Sequence, residues 1–158
     1  MQDLEKTIAR HHKVKHCVAI CSGTVALAIA IRALKLEGEV IVPSYTFIAT
    51  AYALYWQAIT PVFADINPRT HCLDPAAVRS MITPRTSGII GVHLWGRPSH
   101  LDELQKLADE FDLKLMYDSA HAFGCTYKGN TIGSFGNCEV LSFHATKVFN
   151  SFEGGAIL

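Results

Sequence analysis

Lys147 closes the stretch Leu141-Ser142-Phe143-His144-Ala145-Thr146-Lys147, just beyond the apolar run Glu139 to Phe143. The run predicts a buried strand, so the amine stands just past a strand end. There it is either an ordinary exposed ammonium or a desolvated amine able to form a Schiff base with an aldehyde. A second reactive group is Asp118-Ser119-Ala120-His121, a carboxylate ending an apolar run with a His three residues later. One turn of helix would bring Asp118 and His121 toward one face. A third is Ser22-Gly23-Thr24, between an apolar run and an Ala/Leu/Ile-rich segment. If a helix starts there, its free N–H groups and dipole favour an anion, whereas simple capping needs only Ser22 or Thr24. Phe47, in Ser44-Tyr45-Thr46-Phe47, is placed either to stack on a flat ligand or to pack in the core.

The intervening sequence alternates strand and helix signals. Leu4 to His12 predicts a short helix, His16 to Cys21 a strand and Val25 to Leu36 a buried helix stopped by Gly38. Glu39 to Val42 predicts a strand stopped by Pro43, Ser44 to Trp56 a helix, and Pro61 to Ala64 a strand. Asp74-Pro75 reads as N-cap and first residue of a helix to Met81. Ser87 to Leu94 predicts a strand, His100 to Phe111 an amphipathic helix, and Leu113 to Tyr117 a strand ended by Asp118. Cys125 to Gly136 reads as a Gly-rich hairpin or loop, and Cys138 to Phe143 as the resumed sheet. The alternation predicts a three-layer α/β/α domain with a mostly parallel sheet. Right-handed crossovers then gather Thr24, Phe47, Trp95, Asp118 and Lys147 near the C-terminal strand ends, where such sheets bind ligands. The final Gly154-Gly155-Ala156-Ile157-Leu158 looks like a strand cut short, either an edge strand or part of a larger protein.

Of 158 residues, 49% are hydrophobic and 18% charged, enough for one domain with a real core. Lys plus Arg and Asp plus Glu both number 14, a balance that gives no reason to expect nucleic acid or a membrane surface as partner. The five cysteines are scattered and odd in number, so no disulfide framework and no metal site follow. Cys17 and Cys21 read as strand residues. The first residues lack a signal-peptide core, which makes a reducing cytoplasm the expected setting.

Five ordered motifs carry a resemblance. Ser22-Gly23-Thr24, Pro43-Ser44-Tyr45-Thr46-Phe47, His93-Leu94-Trp95-Gly96, Asp118-Ser119-Ala120-His121 and Ser142 to Lys147 with Glu153-Gly154-Gly155 resemble the large domain of the DegT/DnrJ/EryC1/StrS sugar aminotransferases. These are pyridoxal phosphate (PLP) enzymes of the aspartate aminotransferase fold type. The resemblance implies that Lys147 forms the Schiff base with PLP and shuttles the proton. It places Asp118 on the pyridinium nitrogen, Phe47 on the ring, and His121 near the ring hydroxyl. Gly23, Thr24, the amide of Val25 and Ser142 would hold the phosphate. The implied reaction moves an amino group, from glutamate in typical members, to a nucleotide-linked keto-sugar for lipopolysaccharide or antibiotic sugars. A homodimer or larger homo-oligomer, with the active site at the subunit interface, is also implied. Lys147, where a related dehydratase branch has His, argues for transamination.

Members of that family are more than twice this length, so residues 1–158 correspond to a single PLP-binding large domain. Part of the N-terminal segment and the small C-terminal domain fall outside it. A second reading is a non-catalytic PLP-binding or oligomerising remnant, favoured by the short length and opposed by the intact cofactor motifs. Arg97 and His93 are candidate substrate contacts, each equally able to serve its own loop.

Overall fold

The computed structural model describes all of residues 1–158. Five helices, α1 (Gln2–His12), α2 (Gly23–Ala33), α3 (Ala49–Tyr55), α4 (Pro75–Met81) and α5 (Leu101–Glu110), alternate with nine strands. The strands are β1 (Val18–Ile20), β2 (Glu39–Pro43), β3 (Thr60–Ala64), β4 (Thr86–Val92), β5 (Lys114–Asp118), β6 (Thr126–Tyr127), β7 (Asn130–Thr131), β8 (Cys138–Ser142) and β9 (Gly155–Ile157). Seven strands form one sheet in the order β1-β9-β8-β5-β4-β2-β3, and β6 and β7 make a separate small hairpin. Only β9 runs antiparallel in the large sheet, against both β1 and β8.

The sheet is covered on both faces, as the near-continuous apolar runs of its strands demand. On one face, Ala26, Leu27, Ala30 and Ile31 of α2 and Ala53 and Leu54 of α3 pack on Val40, Val42, Ile90, Met116 and Val140. On the other, Leu101, Leu104, Leu107 and Ala108 of α5 and Val78 of α4 pack on Ile41, Ile89, Leu115 and Tyr117. Ile8 of α1 covers Leu141, Phe143 and Ala156 beside them. Asp74 caps α4 as its sequence suggests, accepting a hydrogen bond from Ala76 N–H at 2.8 Å.

Three local expectations are corrected. The helix predicted from Ser44 starts at Ala49, because Ser44 N–H still pairs with the Ala64 carbonyl at 2.9 Å and keeps the chain extended beside β3. The first strand is only Val18–Ile20, so Cys17 and Cys21 flank it. Finally, β9 is no edge strand but lies between β1 and β8. Its position depends on a small residue. A Cβ on Gly155 would fall 2.8 Å from Gly23 N, from Ser22 C and from Leu141 O, all backbone atoms that cannot yield. A Cβ on Gly23 would likewise meet Ser142 Cβ at 2.8 Å. The two glycines let the start of α2 lie directly on the β8–β9 pair, which brings Ser22-Gly23-Thr24 beside Ser142.

Candidate active site

A cavity of about 520 Å³ opens at the C-terminal ends of the parallel strands, a volume suited to a small-molecule ligand. Gly23, Thr24, Phe47 and Ser142 line it, together with Asp118, His121 and Lys147. Val25 does not line it; its N–H is directed at Ser22 Oγ, 3.3 Å away, as the cap of α2. The first two N–H groups of that helix, on Gly23 and Thr24, have no partner within the helix and lie on the cavity wall.

Lys147 is the only lysine in the lining and has no ion-pair partner. Its main chain is fixed on both sides. The N–H donates to the His144 carbonyl at 2.8 Å, and the carbonyl accepts from Asn150 Nδ2 at 3.2 Å.

Asp118 ends β5 at 6% exposure, its carboxylate turned toward the α2–α3 side of the sheet. Oδ1 accepts the Ala120 N–H at 3.2 Å, and Oδ2 accepts the hydroxyl of Thr50 at 2.9 Å. Thr50 is fully buried in α3, and its oxygen also lies 2.9 Å from Thr46 Oγ1. Neither threonine was singled out from sequence. The available signal was two hydroxyls at i and i+4, one of them on an otherwise apolar helix face beside Ala49, Ala53 and Leu54.

His121 reaches the cavity from a turn, not from the helical turn expected, because the chain after Asp118 folds back through Ala122 N–H to Ser119 O at 3.0 Å. Its Nδ1 accepts the Trp95 N–H at 3.3 Å, which assigns the ring proton to Nε2. Burial lowers its pKa, the Lys147 charge lowers it further, and Asp118 opposes both. Trp95 itself has φ 54°, a left-handed conformation held between His93 and Gly96.

His93 does not reach the cavity. It is fully buried on the α5 side, stacked on Tyr117 with ring centroids 4.7 Å apart, and its Nδ1 accepts Ser99 N–H at 2.9 Å. Its Nε2 faces Glu139 Oε2 at 3.4 Å, out of line for a full hydrogen bond. Glu139, equally buried, accepts the hydroxyl of Ser119 and the N–H groups of Gly133 and Phe135, the latter two at 2.7 and 2.9 Å. Arg97 binds the Arg69 carbonyl at 3.0 Å and so holds its neighbouring loop.

One buried and one half-buried histidine make stability depend on pH. His12 donates from Nδ1 to the Ile132 carbonyl at 2.5 Å, leaves Nε2 without a partner, and has its pKa lowered chiefly by burial. For both His12 and His121 the folded pKa lies below the unfolded value of 6.5. The unfolded chain therefore binds more protons, and stability is complete above that value and is lost as pH falls through the lower folded pKa. Urea unfolding at pH 7.5 and 5.5 is expected to show a lower midpoint at pH 5.5, with a smaller difference in His12→Gln. An equal midpoint at both values would contradict the assignment.

Fold and cavity define an α/β protein with a lysine, a buried carboxylate and a helix N-terminus converging at the strand ends. The family model for the DegT/DnrJ/EryC1/StrS aminotransferase family matches residues 1–158, and the chain belongs to that family. It is 43% identical over 157 residues to a dTDP-4-amino-4,6-dideoxy-D-glucose transaminase of Shigella dysenteriae, covering 99% of this chain and 43% of that protein. The crystal structure of DesI, analysed with its TDP-sugar product, superposes with a TM-score of 0.97 at 52% identity over 99% of this chain and 40% of the other. Spr1654 of Streptococcus pneumoniae, assigned as a sugar aminotransferase and solved in its PLP form, superposes at 0.93 with 32% identity over 99% and 44%. The chain thus spans less than half the length of these relatives. No helix is long and apolar enough to cross a membrane, and no group of three or more His, Cys, Asp or Glu residues is placed to hold a metal ion.

Proposed function

We propose that this chain supplies the cofactor-holding part of a PLP-dependent aminotransferase acting on a nucleotide-linked keto-sugar, with glutamate as amino donor. The observation that carries the reading is the meeting, in one cavity, of the unpaired Lys147 with the buried carboxylate of Asp118. The transaminase activity of the Shigella relative and the PLP form of Spr1654 support it.

The residues fit PLP group by group. Gly23 and Thr24 offer N–H groups for a phosphate, beside the Ser142 hydroxyl, at a place where a Cβ on Gly23 would close the space. Asp118 is directed by two donors and retains lone pairs for a cationic ring nitrogen. Phe47, 68% exposed on the wall, offers an aromatic face. When bound, PLP supplies an aldehyde and an electron sink for amino-group transfer.

The chain's own groups then have distinct tasks. Lys147 Nζ is the nucleophile toward the aldehyde and afterwards carries the proton to and from the reacting carbon. Asp118 keeps the ring nitrogen charged. His121, with its proton on Nε2, would offer that N–H to the ring hydroxyl of a bound cofactor without adding a second positive charge beside Lys147. Over the two half-reactions the amino donor would leave as its 2-oxo acid, and the keto-sugar would lose its carbonyl oxygen as water on gaining the amino group. A homodimer or larger homo-oligomer of the complete protein, working in the cytoplasm, belongs to the same proposal.

The test is a pair of half-reactions followed by absorbance. PLP-loaded protein is expected to lose its visible band when glutamate is added and to regain it on adding a nucleotide-linked keto-sugar. A band indifferent to every amino donor would favour the non-catalytic reading instead.

A further inference from the structure

We infer that Thr50, oriented by Thr46, is a positioning residue that locks the Asp118 carboxylate for its cationic partner. The inference rests on the PLP reading of the cavity and adds two residues to it. A threonine hydroxyl has one proton and two acceptor lone pairs. Thr50 spends its proton on Asp118 Oδ2, 2.9 Å away, so in the 2.9 Å contact between the two threonines Thr46 must be the donor. The direction of the chain is therefore fixed: Thr46 to Thr50 to Asp118. Each link polarises the next. Thr50 is fully buried, whereas Thr46 lies on the cavity wall.

The geometry explains why both ends of the carboxylate need a donor. Asp118 stands at the last position of β5, where only the Ala120 N–H of its own turn reaches Oδ1. One bond at 3.2 Å leaves rotation about the side chain weakly restrained. The Thr50 hydroxyl comes from a different element, α3, and clamps the second oxygen. With each oxygen held by its own donor, the carboxylate is fixed at the cavity wall with lone pairs to spare. The relay also ties the segment that carries Phe47 to Asp118, since Thr46 and Thr50 flank it and Thr50 N–H donates to the Phe47 carbonyl at 3.1 Å. Ring face and ring nitrogen are thus placed by one hydrogen-bonded unit.

The experiment measures the equilibrium dissociation constant of PLP, by absorbance and by quenching of protein fluorescence, for the whole chain and its variants. Thr50→Val, which keeps the shape and removes the hydroxyl, is expected to bind about tenfold more weakly, as loss of a hydrogen bond to a charged group implies. Thr50→Ser is expected to restore wild-type binding. In an Asp118→Asn background Thr50→Val is expected to cause no further loss, because its effect runs through that carboxylate. Thr46→Val, on the cavity wall, is expected to weaken binding by a smaller factor, about threefold, and serves as the test if Thr50→Val does not fold. Binding within twofold of wild type in both valine variants, or an equal loss with and without Asp118, overturns the relay. A wild-type chain that takes up no PLP overturns the reading of the cavity itself, a result distinct from either of these.

Discussion

Lys147→Ala is expected to abolish covalent attachment of PLP and to reduce amino-group transfer by at least about ten-thousandfold, since one side chain acts as both nucleophile and proton carrier. The loop should survive the change. Its shape depends on main-chain bonds of residue 147 to His144 and Asn150, at 2.8 and 3.2 Å, which alanine keeps. No ion pair is broken, so no carboxylate is left without a partner, and stability should stay within about 0.5 kcal/mol of wild type. Borohydride reduction of the PLP-loaded protein followed by peptide mass mapping reads the result directly. Wild type should carry the label on Lys147 and the variant should carry none. A label of equal yield on another lysine would remove Lys147 from its proposed role, whatever the turnover. Lys147→Arg separates charge from chemistry: it retains a cation in the cavity and should fail as completely as alanine.

Why Lys147 and Asp118 were legible while their supports were not follows from the range of the signals. An apolar run that stops at a polar residue marks a strand end locally, and a parallel sheet gathers such ends on one edge. The sequence therefore places Thr24, Phe47, Trp95, Asp118 and Lys147 near one another without any distance being known. The insertion of β9 between β1 and β8 is different, because it depends on pairings between residues more than a hundred positions apart, Val18 with Ile157 among them. The Thr50–Asp118 bond is likewise a contact across 68 positions, and nothing within α3 announces it beyond a hydroxyl on an apolar face. His93 misleads for the opposite reason. It follows β4 at the ligand-binding edge, yet its side chain turns to the α5 face, and the edge position alone cannot reveal which side of the sheet a residue takes.

The two faces of the sheet divide the work at successive residues of the chain after β5. Asp118 points to the α2–α3 side and belongs to the cavity, whereas the next residue, Ser119, gives its hydroxyl to Glu139 on the α5 side. Ser119 N–H also donates to the Val140 carbonyl at 2.8 Å, continuing the pairing of β5 with β8 past the strand end. Asp118 is therefore backed by a polar cluster under the sheet as well as clamped by Thr50 above it. The ordering of this edge of the sheet thus also depends on Glu139, a buried side chain outside the cavity lining.

Glu139→Ala should for that reason be the most destabilising single substitution considered. It leaves the Ser119 hydroxyl and the Gly133 and Phe135 N–H groups without an acceptor beside the fully buried His93. Stranding three buried donors at about 1–3 kcal/mol each costs at least about 3 kcal/mol, which in a chain of this size lowers the melting midpoint on the order of 10 °C. Glu139→Gln keeps the volume and one carbonyl oxygen. That oxygen can still take the Gly133 and Phe135 N–H groups, while the amide NH₂ then faces the Ser119 hydroxyl, which can rotate to accept, and the His93 N–H, which cannot. A smaller loss of about 1–3 kcal/mol is expected. Urea unfolding of the three proteins at pH 7.5 provides the comparison. A Glu139→Ala loss below about 1 kcal/mol would mean that water replaces the carboxylate as acceptor. Asp118 would then owe its placement to Thr50 and Ala120 alone.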